Sequence, residues 1–203
     1  MLLWIGSELT IPLTWKSFIS AEVDILHPPL AGNLSIMKTA TREKADQRYW
    51  LFKSEPSAFS IDHLAKAAKK TAPWDGVRNY QARNFLRDDV QVGDHVLFYH
   101  SREEPLGVFG TMKIARAGYP DFTAFDAASK YYDASSDPDK PRWYMVDVKL
   151  IQKFPAPVTR EMLGGDDVTA KMLVMKKGMR LSIQPVTLEE WQAVHRLAGV
   201  DVS

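Results

Sequence analysis

Residues 95–100 read His-Val-Leu-Phe-Tyr-His. In a strand, successive side chains point to opposite faces, so Val96, Phe98 and His100 fall on one side and Leu97 and Tyr99 on the other. Large apolar groups on both faces exclude a strand with one side in water. The segment therefore belongs in the middle of a sheet, with packed layers on either side of it. Gly93-Asp94 supplies the turn that leads into it.

The other strands are placed around that one. Residues 49–53, Tyr-Trp-Leu-Phe-Lys, form a buried strand that stops at Pro56 and delivers Lys53, Ser54 and Glu55 at its end. A second runs from Gly107 to about Ile114. Residues 142–154 make the longest, with Tyr144, Val146, Val148 and Leu150 on one face and Trp143, Met145, Asp147 and Lys149 on the other, and Pro155 and Pro157 are expected to end it. Residues 181–183 are a short strand. Ser60 caps a helix whose apolar face is Ile61, Leu64, Ala65 and Ala68, and a single helical turn is expected over 159–163. A further helix is predicted over about 167–177, with Met172, Leu173 and Met175 as core filling. Thr187 and Glu190 form a capping box for the last helix, Val186 and Trp191 its hydrophobic staple, and Gly199 its end. The sum is a mixed α/β domain of five to seven strands, curling into a small β-barrel with short flanking helices.

Composition matters chiefly for what it excludes. The chain has no cysteine, which removes disulfides, thiolate metal sites and cysteine nucleophiles. No apolar run approaches the roughly 18 residues of a spanning helix, and the start lacks the pattern of a secretory signal. These features fit a reducing compartment, and the expected location is the cytoplasm, or the nucleus in a eukaryote. Residues 1–36 lack periodicity, carry Pro12, Pro28 and Pro29, and hold one basic residue against three acidic ones. Residues 1–47 are therefore read as an N-terminal extension, of which 1–36 are expected to add no packing, with Met37 as an alternative start. The formal charge of the whole chain is +1, and of the part after residue 36, +3. Any contact with nucleic acid must then be local, with two or three phosphates engaged.

The densest cluster of functional side chains is Trp74-Asp75-Gly76-Val77-Arg78-Asn79-Tyr80-Gln81-Ala82-Arg83-Asn84. Pro73 and Gly76 mark an exposed turn, and Asn79 is a good N-cap for a helix with Ala82, Phe85 and Leu86 on one face. A loop that runs into a helix start presents N–H donors, here beside Trp74, Arg78 and Arg83. It suits a flat, anionic, hydrogen-bonding ligand, and it equally suits an internally satisfied loop anchored by Trp74. The aromatic and acidic stretch 119–141 has no periodicity and reads as a long functional or mobile loop.

Reactive centres are harder to find. His95 and His100 point to opposite faces, and His63 and His195 have no partner at helical spacing, so no metal site is expected. No nucleophile elbow accompanies His100-Ser101. Glu55 and Asp75 form one of many carboxylate pairs, whose separation the sequence does not fix.

Several of these segments, in this order, resemble the EVE domain family: Lys53-Ser54-Glu55-Pro56, Trp74 through Asn84, Phe98-Tyr99-His100-Ser101, Tyr119-Pro120-Asp121, Tyr131-Tyr132-Asp133, Pro141-Arg142-Trp143 and residues 180–186. The resemblance covers about residues 48–198, leaving 199–203 as a tail. It implies a PUA-like barrel akin to ASCH and YTH domains, and a non-catalytic binder of DNA or RNA carrying a modified, methylated base. It implies no cofactor, and we expect a monomer or weak dimer. In such a pocket Trp74 is the expected stacking face. Asn79, Ser54 and the backbone around Gly76 would read the base edge, and Lys53, Arg78 and Arg83 would meet phosphates. Glu55, Asp75, Val77, Tyr80, Phe98, His100 and Trp143 complete the candidate wall. A nucleoside-acting or RNA-processing hydrolase using Glu55, Lys53 and Asp75, and a small-molecule or interaction module, are the alternatives.

Overall fold

A computed structural model describes residues 47–202; the N-terminal extension lies outside them except for Gln47, which donates to the Gly93 carbonyl at 3.2 Å. Six strands form one sheet in the order β2-β5-β4-β3-β1-β6. They are β1 (Tyr49–Ser54), β2 (Thr71–Trp74), β3 (His95–His100), β4 (Gly107–Pro120), β5 (Tyr144–Thr159) and β6 (Ile183–Val186). The β1–β3 pair is parallel and the other four are antiparallel. The helices are α1 (Ile61–Lys66), α2 (Tyr80–Asn84), α3 (Arg160–Gly165) and α4 (Leu188–Ala198). None is long and apolar enough to cross a membrane.

Strand β3 lies between β1 and β4, as its two apolar faces require. Its Val96 and Phe98 join one buried cluster with Trp50, Phe52, Trp74, Met112, Ile114, Val146 and Val148. Its Leu97 and Tyr99 join a second with Leu51, Val108, Phe154, Leu163 and Trp191. The sheet is strongly curled. β2 and β1 are four strand spacings apart, about 19 Å in a flat sheet, yet the rings of Trp74 and Phe52 lie 5.3 Å apart. The first cluster is thus the inside of a barrel-like roll. Register shifts along β4 and β5 produce the curl, because each bulge adds twist and bends its strand. Gly110 allows one such close approach: a Cβ there would stand 2.2 Å from the Gln152 carbonyl oxygen.

Ser60 and Thr187 both close capping boxes, the first with His63 in the acceptor role usually taken by Glu, and Gly199 ends α4 in the left-handed conformation. Several elements differ from the sequence expectation: β4 runs on to Pro120, six residues past Ile114, and the helix begun at Tyr80 passes at Phe85 into a π turn, Phe85–Asp89. Pro73 lies inside β2 rather than in an exposed turn, which is tolerated because β2 is an edge strand. Pro155 and Pro157 do not end β5. They sit in the irregularity between the Gly110–Lys153 and Val108–Val158 pairings, after which the ladder resumes. Residues 167–177 form two short 3-10 turns, Thr169–Lys171 and Leu173–Met175, instead of a helix. The last strand begins at Ile183, two residues later than expected.

Trp74 is only 6 % exposed, with its ring 5.2 Å from Phe98 and 5.8 Å from Phe59 besides Phe52. It is a plug of the barrel interior more than an open stacking face. Trp74→Ala is therefore expected to cost roughly 3–5 kcal/mol of unfolding free energy. Denaturant unfolding checks this, and a loss below about 1 kcal/mol would contradict the packing role.

Candidate nucleic-acid interface

Where β1 and β2 end, a cavity of about 1250 Å³ opens between residues 53–59, 73–78, 99–106, 130–131 and 174–182. That is larger than a drug-sized ligand needs. Of the sequence candidates, Lys53, Ser54, Glu55, Trp74, Asp75, Gly76, Val77 and Arg78 line it.

The 74–78 segment is held by Asp121, whose side chain is fully buried. Its carboxylate accepts hydrogen bonds from the Gly76 amide at 3.0 Å, the Arg78 Nη1 at 2.7 Å, the Thr123 amide at 2.9 Å and the Thr123 hydroxyl at 2.6 Å. Burial pushes the Asp121 carboxyl up, and these donors outweigh it, leaving it below the usual carboxylate range. Arg78 also donates from Nε and Nη2 to the Tyr131 carbonyl, from Nη2 to the Thr123 hydroxyl and from Nη1 to its neighbour Val77. Its fork is engaged inside the protein, so it braces the 119–133 loop rather than standing free for a phosphate. Gly76 has φ +70°, and a Cβ there would lie 2.5 Å from the Tyr131 ring, so glycine is needed twice over.

Lys53 projects at the end of β1 and donates to the Met179 carbonyl at 3.1 Å. Burial, and then the charge of Arg160, hold its amine below the usual lysine range. Glu55 is ion-paired with Arg102 at 2.8 Å. Burial, then the nearby Asp121 carboxylate, raises Asp75. The Ser54 carbonyl accepts from the Ser101 amide and hydroxyl, which fastens the ends of β1 and β3 together.

Six candidates lie away from the cavity wall. Asn79 is the N-cap of α2, its side chain accepting from the Ala82 amide at 3.0 Å. Phe98 is wholly buried in the barrel. His100 is 5 % exposed, stacks on Phe109 at 3.9 Å, and accepts from the Ile61 amide at 3.1 Å through Nε2. Tyr80, Arg83 and Trp143 build a separate outer stack. The Tyr80 and Trp143 rings are 5.0 Å apart and nearly parallel, Arg83 lies over Tyr80 at 5.2 Å, and Tyr80 is 56 % exposed. Arg83 also donates to the Arg142 carbonyl. A helix start turns its successive side chains outward in different directions, which is why residues 79–83 leave the wall that 74–78 form.

The sequence reading missed most of the cavity's charge. Arg102, Lys130, Arg160, Lys176 and Arg180 join Lys53 and Arg78, giving seven basic residues on a wall with two acidic ones, Glu55 and Asp75. Phe59 and Tyr131 are the partly exposed aromatics of the wall, and Tyr99, 2 % exposed, also lines it. The density of aromatics in 119–141 was the available signal for Tyr131, but nothing in the sequence pairs that loop with Gly76.

A sequence profile of the EVE domain matches residues 48–197. The chain belongs to the EVE domain family. Mouse thymocyte nuclear protein 1 is 38 % identical over 193 residues, covering 84 % of each chain. Among solved structures, a Pseudomonas putida protein is 46 % identical with a TM-score of 0.70, over 74 % of this chain and 99 % of that one. The human THYN1 protein, in complex with 5-methylcytosine-containing DNA, is 38 % identical with a TM-score of 0.70, over 77 % of this chain and all of that one, 100 %. The matched part of this EVE domain contains the whole cavity and the outer Tyr80–Trp143 stack.

The placement of His100 has a consequence in pH. With Nε2 accepting from Ile61, a second proton on the ring breaks that bond in a desolvated site, and the ring's pKa is lowered to about 4, by burial first. The unfolded chain, near 6.5, then binds more protons than the folded one below that pH. The stability contribution is complete above pH 6.5 and is lost as pH falls through 4, with roughly 2 kcal/mol gone by pH 5. Unfolding titrations should show that fall, and His100→Gln should flatten it. An unchanged pH profile in the variant would assign the fall to other groups.

Proposed function

We propose that this EVE domain binds nucleic acid without catalysing a reaction, taking a methylated base, swung out of its stack, into the cavity between the ends of β1 and β2. The observation that carries the reading is the human THYN1 complex with 5-methylcytosine-containing DNA, at 38 % identity and with the same fold. The cavity's chemistry supports it. Cations collected from separated segments of the chain suit the phosphates on either side of an extruded nucleotide. Phe59 and Tyr131 offer faces on which a base can stack, and such contacts are worth roughly 1–3 kcal/mol each. The volume admits a base together with its sugar and flanking backbone.

The exposed cations are Arg102, which is paired with Glu55, and Lys130, Lys176 and Arg180, which are not in an ion pair among the described residues. Three phosphate contacts correspond to a slope of log affinity against log salt of roughly −2 to −3 on duplex DNA, steeper than a net charge of +1 implies. Arg180→Ala should make that slope shallower by about 1. Burying one added methyl contributes about 0.8 kcal/mol, so a 5-methylcytosine oligonucleotide should bind roughly fourfold more tightly than its cytosine twin. Titration of matched DNA and RNA oligonucleotides at several salt concentrations measures both quantities. Equal binding of methylated and plain strands, or a slope near zero, would overturn the reading.

A further inference from the structure

A cavity that accepts 5-methylcytosine by shape alone faces a chemical ambiguity. Thymine carries the same methyl group at the same ring position and differs only at position 4, where a keto oxygen replaces the amino group. Stacking faces and an apolar seat for the methyl do not separate the two. A hydroxyl such as that of Ser54 or Tyr99 separates them poorly, because it rotates to donate or accept. A fixed acceptor is required.

Two carboxylates lie on the wall, and only one of them, Glu55, is held in an ion pair. Glu55 is held by Arg102 at 2.8 Å. Asp75 makes no ion pair among the described residues, although seven basic residues share the cavity with it. Arg78, the nearest in sequence, is taken by Asp121 at 2.7 Å. Asp75 is also fixed in place, since Trp74 before it is buried among Phe52, Phe59 and Phe98, and Gly76 after it is pinned under Tyr131 and bonded to Asp121. A half-buried carboxylate without a side-chain donor is costly, and a ligand N–H relieves that cost. Phosphate is repelled by it, which separates this part of the wall from the cationic rim.

We propose that Asp75 is the specificity-determining residue of the cavity: its carboxylate accepts a hydrogen bond from the exocyclic amino group of the methylated base and rejects the keto oxygen of thymine. The proposal rests on the cavity being the base site. Its chemistry is that of a carboxylate reading cytosine N4, where a well-formed contact discriminates by roughly 5- to 150-fold against the wrong base.

The test uses single-stranded oligonucleotides identical except at one position, bearing 5-methylcytosine, cytosine, thymine or uracil, titrated against the full chain and against Asp75→Asn and Asp75→Glu. The unaltered protein should bind 5-methylcytosine at least about tenfold more tightly than thymine. In Asp75→Asn the amide can turn its NH2 toward the keto oxygen, and the ratio should fall to within about threefold, while each methylated base still binds better than its unmethylated form. Asp75→Glu keeps an acceptor and should keep the order of preference at lower affinity. A wild-type ratio near one, or a ratio unchanged in Asp75→Asn, overturns the role of Asp75 alone. Loss of any preference for methylated over unmethylated bases in the unaltered protein overturns the cavity reading, and the role of Asp75 with it.

Discussion

The Asp121 carboxylate, buried and held by Gly76, Arg78 and Thr123, is the interaction on which the cavity depends. It joins two segments more than forty residues apart, the 74–78 strand end and the loop after β4. A charge of this kind is retained only when its partners are complete, since removing one leaves an uncompensated carboxylate at a cost of roughly 3–5 kcal/mol. The same clasp fixes Tyr131 above Gly76 and draws Arg78 out of the solvent. Arg78 thereby loses the freedom a phosphate ligand would need and gains a structural role. Asp75, one residue from the clasp, lines the cavity without an ion pair among the described residues, and the nearby Arg78 is paired with Asp121.

Charge on this protein is organised by position more than by amount. The chain is almost neutral, at +1, yet the cavity wall holds seven basic residues and two acidic ones. The acidic balance lies elsewhere, on surface pairs such as Asp62 with Lys153 and Asp88 with Arg87. Such exposed pairs contribute little to stability. The exposed cavity cations instead come from segments that approach only in the fold: the turn after β3, the loop before β5 and the stretch between the second 3-10 turn and β6. Outside it, Tyr80, Trp143 and Arg83 form a second aromatic surface, on the far side of Arg78, whose guanidinium carbon lies 5.4 Å from the Trp143 ring.

The order of elements was legible in the sequence wherever a local rule decides it. The two-faced pattern of 95–100 put β3 in the sheet interior, and the caps at Ser60, Asn79, Thr187 and Gly199 sit where the residue types place them. Local rules failed where a neighbour decides. Pro73 reads as a turn residue, and only its edge position makes it a strand residue; Pro155 and Pro157 read as terminators, and the facing irregularity accommodates them. The helix expected at 167–177 gives way to 3-10 turns that deliver Val174 and Met172 to the second cluster. For the cavity, the contiguous motifs 53–55 and 74–78 were readable as such. Arg102, Lys130, Arg160, Lys176 and Arg180 were not, because single basic residues in polar segments look like ordinary solvated surface until the fold brings them together.

The central claim is that one cavity, and not the outer aromatic stack, receives the methylated base. Amide and aromatic NMR shift mapping during titration with a short single-stranded 5-methylcytosine oligonucleotide tests this most directly. The expected result is a saturable set of perturbations at Asp75, Gly76, Tyr99, Tyr131 and Met179 that is larger with the methylated strand than with its cytosine counterpart. Perturbations confined to Tyr80, Arg83 and Trp143, or equal for the two strands throughout, would contradict it.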